Sequence, residues 1–323
     1  MFSRSCWMVG ALALLAGPAL AGNKVTTKVT APPPGPEAAS ATAAADPIYA
    51  AYDDGRYLTA LTLAKQAAAA GEPSAATLIG RLYADGLGVP RDPATAVSWF
   101  AKAAAMGDVN ATFELGLLTA KGIGANKDPV KAAQLFETAA AAGNVQAKYN
   151  LGILLASGEA GPPDPARAAK LIGEAAKEGD AQARYDLGQM YMAGTGVPHD
   201  EDQAAYWTGL AAAAGLPDAQ AEYAVMLFKG RGVAKDEARA AWFFTAAAER
   251  GNPVAQNRLA TLYAYGIVYS KDVVAASKWH LLARRAGISD LKLDVFLASL
   301  TPAQRAQAEK SAAAWVERAY PAP

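Results

Sequence analysis

Carboxylates at fixed spacing are the residues of this sequence most able to do chemistry. Asp92, Asp128, Asp164, Asp200, Asp236 and Asp272 follow one another at steps of 36 residues without a miss. Gathered in space, such a row could ligate calcium or supply a general acid and base. His199 and His280 are the two imidazoles. The stretch Gly194-Thr-Gly-Val-Pro-His199 has the glycine content of a phosphate-cradling loop.

The surroundings of these residues favour structure over chemistry. Each aspartate stands just before a segment with apolar residues at helical spacing, and Asp92, Asp128 and Asp164 are each followed by proline. A carboxylate there accepts hydrogen bonds from free backbone N–H groups, and proline at the first helical position has no N–H to leave unpaired. Such a cap contributes about 1 kcal/mol per helix. The Gly194 loop follows a helix pattern rather than a strand, so no nucleotide site is assigned. His199 is expected in a solvated loop. His280 falls in the column of Phe100, Phe136 and Phe244 and is expected to pack between repeats. The sequence contains no Gly-x-Ser-x-Gly, no Gly-x4-Gly-Lys-Ser/Thr and no pair of histidines at metal-ligand spacing. No catalytic residue, metal ligand or cofactor is assigned, and an enzyme is not expected.

The elements that position these residues form a repeat. Glycines recur with the aspartates, at Gly86, Gly122, Gly158, Gly194, Gly230 and Gly266, and again at Gly71, Gly107, Gly143, Gly179, Gly215, Gly251 and Gly287. One fixed period over so long a stretch marks stacked repeats. In residues 72–107 a first helix carries Ala75, Ile79, Leu82 and Tyr83, and a second carries Ala96, Trp99, Phe100 and Ala103. Gly86 ends the first helix in a left-handed conformation, and Asp92 starts the second. Asp108, Asn144, Asp180 and Asn252 are placed to cap the next first helix. Gly80, Gly116, Gly152 and Gly188 fall mid-helix, with Ala224 and Ala260 in the same column. That points to close approach of a neighbouring helix, which demands a small residue.

Six units thus run over 72–287, preceded by a shortened first helix pair over 46–71. Over 288–323 the pattern changes to two capping helices, Ser289 to Ser299 and a second through Trp315 opened by the capping box Thr301-Pro-Ala-Gln304. Thirty basic residues balance thirty acidic ones, so no strong field draws in nucleic acid or an anionic membrane. Residues 1–21 read as a secretory signal, with Arg4, an apolar run from Trp7 to Ala16, and Ala19-Leu-Ala21 before a cleavage point after Ala21. The run is shorter than the about 20 residues of a membrane span, so no stable membrane insertion is expected after signal removal. The lone cysteine, Cys6, lies inside it, which leaves no disulfide to the mature chain. Residues 22–45, with Pro32-Pro-Pro34, read as an Ala/Pro/Thr linker. A periplasmic or secreted protein is expected.

Two columns stay bulky and are expected in the core: Trp99, Leu135, Leu171, Trp207, Phe243 and Trp279, and Tyr83, Thr119, Leu155, Tyr191, Leu227 and Tyr263. The pattern Ala183, Leu187-Gly188, Tyr191, Gly194-Thr-Gly-Val197, Asp200, Ala204, Trp207 and Ala211-Ala212 resembles the Sel-one-like repeat family, relatives of the tetratricopeptide repeats. The resemblance covers residues 46–287. It departs at Ala160 and Val268, which stand where the second loop glycine belongs. It implies an all-α, right-handed α-solenoid whose first helices line a concave groove, and an adaptor that binds proteins or peptides. The columns that vary in character on the first helices would then face the groove. They contain Arg81, Phe113, Leu117, Tyr149, Ile153, Tyr185, Gln189, Met192 and Phe228, a mainly apolar and aromatic set suited to an amphipathic helix or extended peptide. The function expected is a non-catalytic scaffold for a protein partner in envelope signalling or assembly. The alternatives are a self-assembling structural module and an envelope hydrolase.

Overall fold

Alanine-rich segments with apolar residues three and four apart close into helices, and the computed structural model, which describes residues 46–320, holds sixteen of them and no strand among those residues. They are α1 (Pro47–Asp53), α2 (Tyr57–Ala69), α3 (Pro73–Asp85), α4 (Pro93–Ala105), α5 (Val109–Lys121), α6 (Pro129–Ala141), α7 (Val145–Ser157), α8 (Pro165–Lys177), α9 (Ala181–Ala193), α10 (Glu201–Ala213), α11 (Pro217–Lys229), α12 (Glu237–Glu249), α13 (Pro253–Tyr265), α14 (Val273–Arg285), α15 (Leu291–Ala298) and α16 (Pro302–Ala319). The secretory signal over 1–21 and the linker over 22–45 lie outside the described residues. The chain divides into two compact units, Met1–Asp164 and Pro165–Pro323, with the boundary between the two helices of the third repeat. Within each unit the extensive packing is between helices adjacent in sequence, as a solenoid requires, and α16 adds a contact across α15 to α14.

Five of the six recurrent aspartates cap helices. Asp92, Asp128, Asp200, Asp236 and Asp272 each accept a hydrogen bond from a first-turn N–H of α4, α6, α10, α12 and α14. Asp108, Asn144, Asp180 and Asn252 do the same for α5, α7, α9 and α13. Where the first helix lacks such a cap, at α3 and α11, proline occupies its first turn. Each first helix from α3 to α13 closes on a left-handed glycine of the Gly86 column.

Two contacts fix the spacing between helices. The mid-helix glycines lie under side chains of the second helix: a Cβ built on Gly80 would stand 2.7 Å from the Phe100 ring, and one on Gly116 would stand 2.7 Å from Phe136. At Gly188 the neighbour is the Thr208 hydroxyl. Ala224 and Ala260 are fully buried at the same register. The second loop glycine locks one repeat to the one before. Gly124, Gly196 and Gly232 lie against the carbonyls of Pro93, Pro165 and Glu201, the first residues of the preceding second helices, with no room for a Cβ. The two loops that depart from the pattern solve this differently. The third places Gly161 at φ 146°, and the sixth holds Val268 at φ 66°, the one left-handed residue other than glycine among those described. The Tyr269 N–H bonds the Ile267 carbonyl across it at 2.7 Å, closing a three-residue turn.

The core follows the columns in part. Trp207, Phe243 and Trp279 are buried, whereas Trp99, Leu135 and Leu171 are half-buried. Lys102 covers the Trp99 ring with its ammonium 4.3 Å from the ring centre. In the other column Leu227 and Thr119 are buried, while Tyr83, Leu155, Tyr191 and Tyr263 are half-buried. The last helix docks through Trp315, edge-on to Trp279 with centroids 6.2 Å apart, its Nε1 donating to Glu249 Oε2 at 2.8 Å. The Thr301/Gln304 capping box forms, and the helix continues to Ala319.

Two stability outcomes are expected from these contacts. Gly116→Ala forces the buried Phe136 to move, at a cost of about 1–2 kcal/mol after the gain in helix propensity. Most of that loss is recovered in the Gly116→Ala/Phe136→Leu double variant, as read by urea denaturation; additive losses would remove Phe136 as the cause. Val268→Gly relieves a β-branched residue of a left-handed conformation and raises stability by roughly 0.5–1 kcal/mol, after the extra chain entropy of glycine is subtracted. A lower urea midpoint would show that Val268 contributes more by packing than it costs in conformation.

Candidate functional site

The first helices present residues at i, i+4 and i+7 on one face, and their capping is complete without those side chains. That leaves the face free to carry function. In the first unit Arg81 is exposed on α3, its guanidinium 3.7 Å from Glu114 of α5. Burial pushes the Glu114 carboxyl up; Arg81 opposes that and Asp85 adds to it. Leu117 on α5, with Ala120, Lys121, Phe136, Asn150, Leu154 and Glu159, lines a small cavity of about 20 Å³. Tyr149 and Ile153 on α7 are half-buried.

Phe113 corrects the expectation of a groove residue. It is only 6% exposed and packs against Phe136, ring centroids 5.8 Å apart, so it belongs to the core of its repeat. The same aromatic that makes Gly116 necessary thus draws Phe113 inward.

In the second unit two candidate residues meet on a third that no column of the sequence singled out. The Tyr185 hydroxyl of α9 donates to Glu222 Oε2 of α11 at 3.1 Å, and Gln189 Nε2 donates to the same oxygen at 2.6 Å. Burial, with the Glu222 carboxylate beside it, pushes the Tyr185 phenol well above the ordinary tyrosine range, so it stays an O–H donor. Gln182 on the same helix donates to Asp186 at 3.0 Å. Met192 packs with Ala204, Ala205 and Met226, and Phe228 packs against the main core of this unit, both half-buried. The structure therefore joins Tyr185 with Gln189, and Arg81 with Glu114. It gives Leu117, Met192 and Phe228 apolar neighbours instead.

The residues missed form one column, Glu114, Asn150, Asp186, Glu222 and Arg258, each one place after the column of Phe113 and Tyr185. Polar residues that change type from repeat to repeat on a half-buried face were the available signal. The face is thus amphipathic rather than mainly apolar. Glu222 is held by two neutral donors, both on Oε2, which leaves Oε1 for an incoming N–H.

The two histidines have structural partners. His199 Nδ1 lies 2.7 Å from the Met192 carbonyl, so that nitrogen carries the proton and closes the C-terminus of α9. Arg91 donates to Ala84 at the equivalent place, at 3.0 Å. His280 is buried, as its column implied, and its Nε2 lies 2.9 Å from Asp294 Oδ1 of α15. Among the described residues no group of three or more histidine, cysteine, aspartate or glutamate side chains is placed to hold a metal ion, and no helix is long and apolar enough to cross a membrane.

Comparison with known proteins agrees with this architecture. The Sel1 repeat model matches six times, at residues 73–108, 109–144, 145–180, 181–216, 217–252 and 253–288. A Sel1 repeat protein from Oxalobacter formigenes is 32% identical with a TM-score of 0.68, over 74% of this chain and 98% of that one. A protective antigen of uropathogenic Escherichia coli is 27% identical with a TM-score of 0.55, over 85% of this chain and 68% of that one. No match was found among functionally curated proteins. Sel1 repeat proteins serve in general as scaffolds for protein interaction. Six consecutive matches in register and an α-solenoid built from them place this chain in the Sel1 repeat family.

Proposed function

We propose that this protein is a non-catalytic scaffold that binds a peptide segment of a protein partner along its first-helix face, in the cell envelope. The observation that carries the reading is Glu222, a carboxylate held by Tyr185 and Gln189 from the neighbouring first helix. None of the three has a capping or loop-closing duty, and their bonds bridge two repeats on the face that varies. A backbone N–H or a basic side chain of the partner fits the remaining carboxylate oxygen, and Met192 and Phe228 offer half-buried apolar contact beside it. In the first unit Arg81, Glu114, Leu117, Tyr149 and Ile153 supply the corresponding mix. Peptide capture by a solenoid needs such anchors in a row rather than one deep pocket. Envelope signalling or assembly is the setting that fits an exported scaffold.

Replacing Tyr185, Gln189 and Glu222 together by alanine lowers capture of the partner from an envelope extract at least ten-fold, about 1.4 kcal/mol. The helical circular-dichroism signal stays unchanged. Undiminished capture, measured by quantitative mass spectrometry, would show that the partner binds elsewhere.

Export rests on Arg4, the apolar run from Trp7 to Ala16 and the small residues Ala19 and Ala21. Protein recovered from a periplasmic fraction is expected to begin at Gly22. An intact N-terminus in the cytosolic fraction would remove the envelope from the proposal.

A further inference from the structure

The second helices carry a surface that neither capping nor repeat packing explains. Tyr206 of α10 is 56% exposed and Trp242 of α12 is 62% exposed. They occupy one column in adjacent repeats. Elsewhere that column is Ser98, Gln134, Lys170 and Lys278, side chains that water solvates readily. Two large rings left in water on neighbouring repeats are a cost that packing does not repay.

Beside Tyr206 lies an open cleft of about 340 Å³, lined by Asp202, Gly209, Leu210, Tyr223 and Val233 among others. Gly209 opens it: a Cβ there would stand 3.0 Å from the Tyr223 ring, which fills the space and forms the floor. Tyr223 in turn packs edge-on to Phe243, centroids 5.2 Å apart, and Phe243 meets the Trp242 ring at 4.8 Å. A run of ring contacts thus connects the cleft floor with the exposed ring of the next repeat in the second unit. Its rim is acidic at Asp202, one helical turn before Tyr206.

Flat aromatic rings flanking a shallow cleft suit an extended polyproline segment, whose rigid, apolar rings stack on them at little entropic cost. The chain itself contains such a segment, Ala31-Pro-Pro-Pro-Gly-Pro36, with Lys28 four residues before Pro32. In a polyproline helix four residues span about 12 Å. That lets the Lys28 ammonium reach Asp202 while the prolines lie against Tyr206 and Trp242. The segment joins the first unit at Asp46, and the cleft is built wholly within the second.

We propose that the cleft at Tyr206 and Trp242 binds the proline segment Pro32–Pro36 of a second copy, linking copies head to tail. The exposed rings are on the second helices, and none of Tyr185, Gln189, Met192, Glu222 and Phe228 lines the cleft, so this inference stands apart from the proposed first-helix binding face. The contact is heterologous, which lets assembly grow beyond a dimer.

The test uses a fluorescent peptide of residues 27–40 and a full-length receptor with Pro32, Pro33, Pro34 and Pro36 replaced by alanine, so that no copy occupies the cleft. Fluorescence anisotropy is expected to show saturable binding. Affinity should fall at least ten-fold for Tyr206→Ala/Trp242→Ala in the receptor and for a peptide with its prolines changed to alanine. Asp202→Lys should weaken binding, and a peptide with Lys28→Glu should restore it. In multi-angle light scattering the unaltered protein is expected to gain mass with concentration. The four-proline variant and the Tyr206→Ala/Trp242→Ala variant should each stay monomeric, and an equimolar mixture of the two should associate. Absent or variant-insensitive peptide binding would overturn the site. Peptide binding with a monomeric protein and a non-associating mixture would overturn the second copy as the occupant.

Discussion

The close seating of loops on the helix before them is the constraint on which the rest of this fold depends. Gly124, Gly196 and Gly232 lie against the carbonyls that open the preceding second helices, closer than any Cβ allows. Because that contact joins a fixed point of one repeat to a fixed point of the last, the period cannot drift, and the 36-residue step survives six copies. The caps set helix starts, the left-handed glycines set helix ends, and the mid-helix small residues set how near the second helix comes. Burial is then determined: alanines fill the narrow spaces and Phe100, Phe136 and Phe244 fill the wide ones. Each repeat buries its apolar face only against its neighbours, so stability accrues by interface.

A scaffold locked this way has few residues left over, and they identify themselves by having no structural duty. His199 looks catalytic by type, yet it is a helix-closing donor like Arg91. The recurrent aspartates look like ligands, and five of the six are caps. Glu222, unremarked by any motif, is a carboxylate that takes two neutral donors from the neighbouring first helix and has no cap to make. Tyr206 and Trp242 are exposed aromatics in adjacent repeats of a column that is otherwise polar. In both cases the signal is the exception to a column rather than the column itself.

What the sequence made legible was what it repeats. Caps, loop glycines and the Thr301 capping box depend on neighbours within a few residues, so local spacing predicts them. The core columns were legible as apolar but not as to depth: Thr119 is buried while Tyr83 and Tyr263 are half-exposed, because a tyrosine leaves its hydroxyl in water and threonine is small enough to be covered. Phe113 misled because variation down its column was read as freedom, whereas its ring is recruited by Phe136 of the same repeat. The Tyr185–Glu222–Gln189 set was out of reach for a different reason. It pairs two columns across adjacent repeats, and columns taken singly do not reveal pairs.

The sixth repeat shows how a periodic array ends. Its departures fall on the positions that meet α15 and α16. Asn257 donates to Asp290 at 3.0 Å, and that bond, the largest cause, lowers the Asp290 carboxyl below the ordinary range. His280 takes the phenylalanine column and reaches Asp294 at 2.9 Å, where Arg284 also approaches at 3.4 Å. Trp279 receives Trp315 of the last helix, with the Lys278 ammonium 3.8 Å from the centre of the Trp279 ring. Where earlier repeats offer apolar columns to the next repeat, this one offers hydrogen-bond donors to the acidic residues of α15 and an indole to α16. Another repeat stacked here would leave Asn257 and His280 buried without the carboxylates they bond, at a cost of about 1–3 kcal/mol for each. The terminal polar pairs therefore define the end of the array as firmly as the loop glycines define its period.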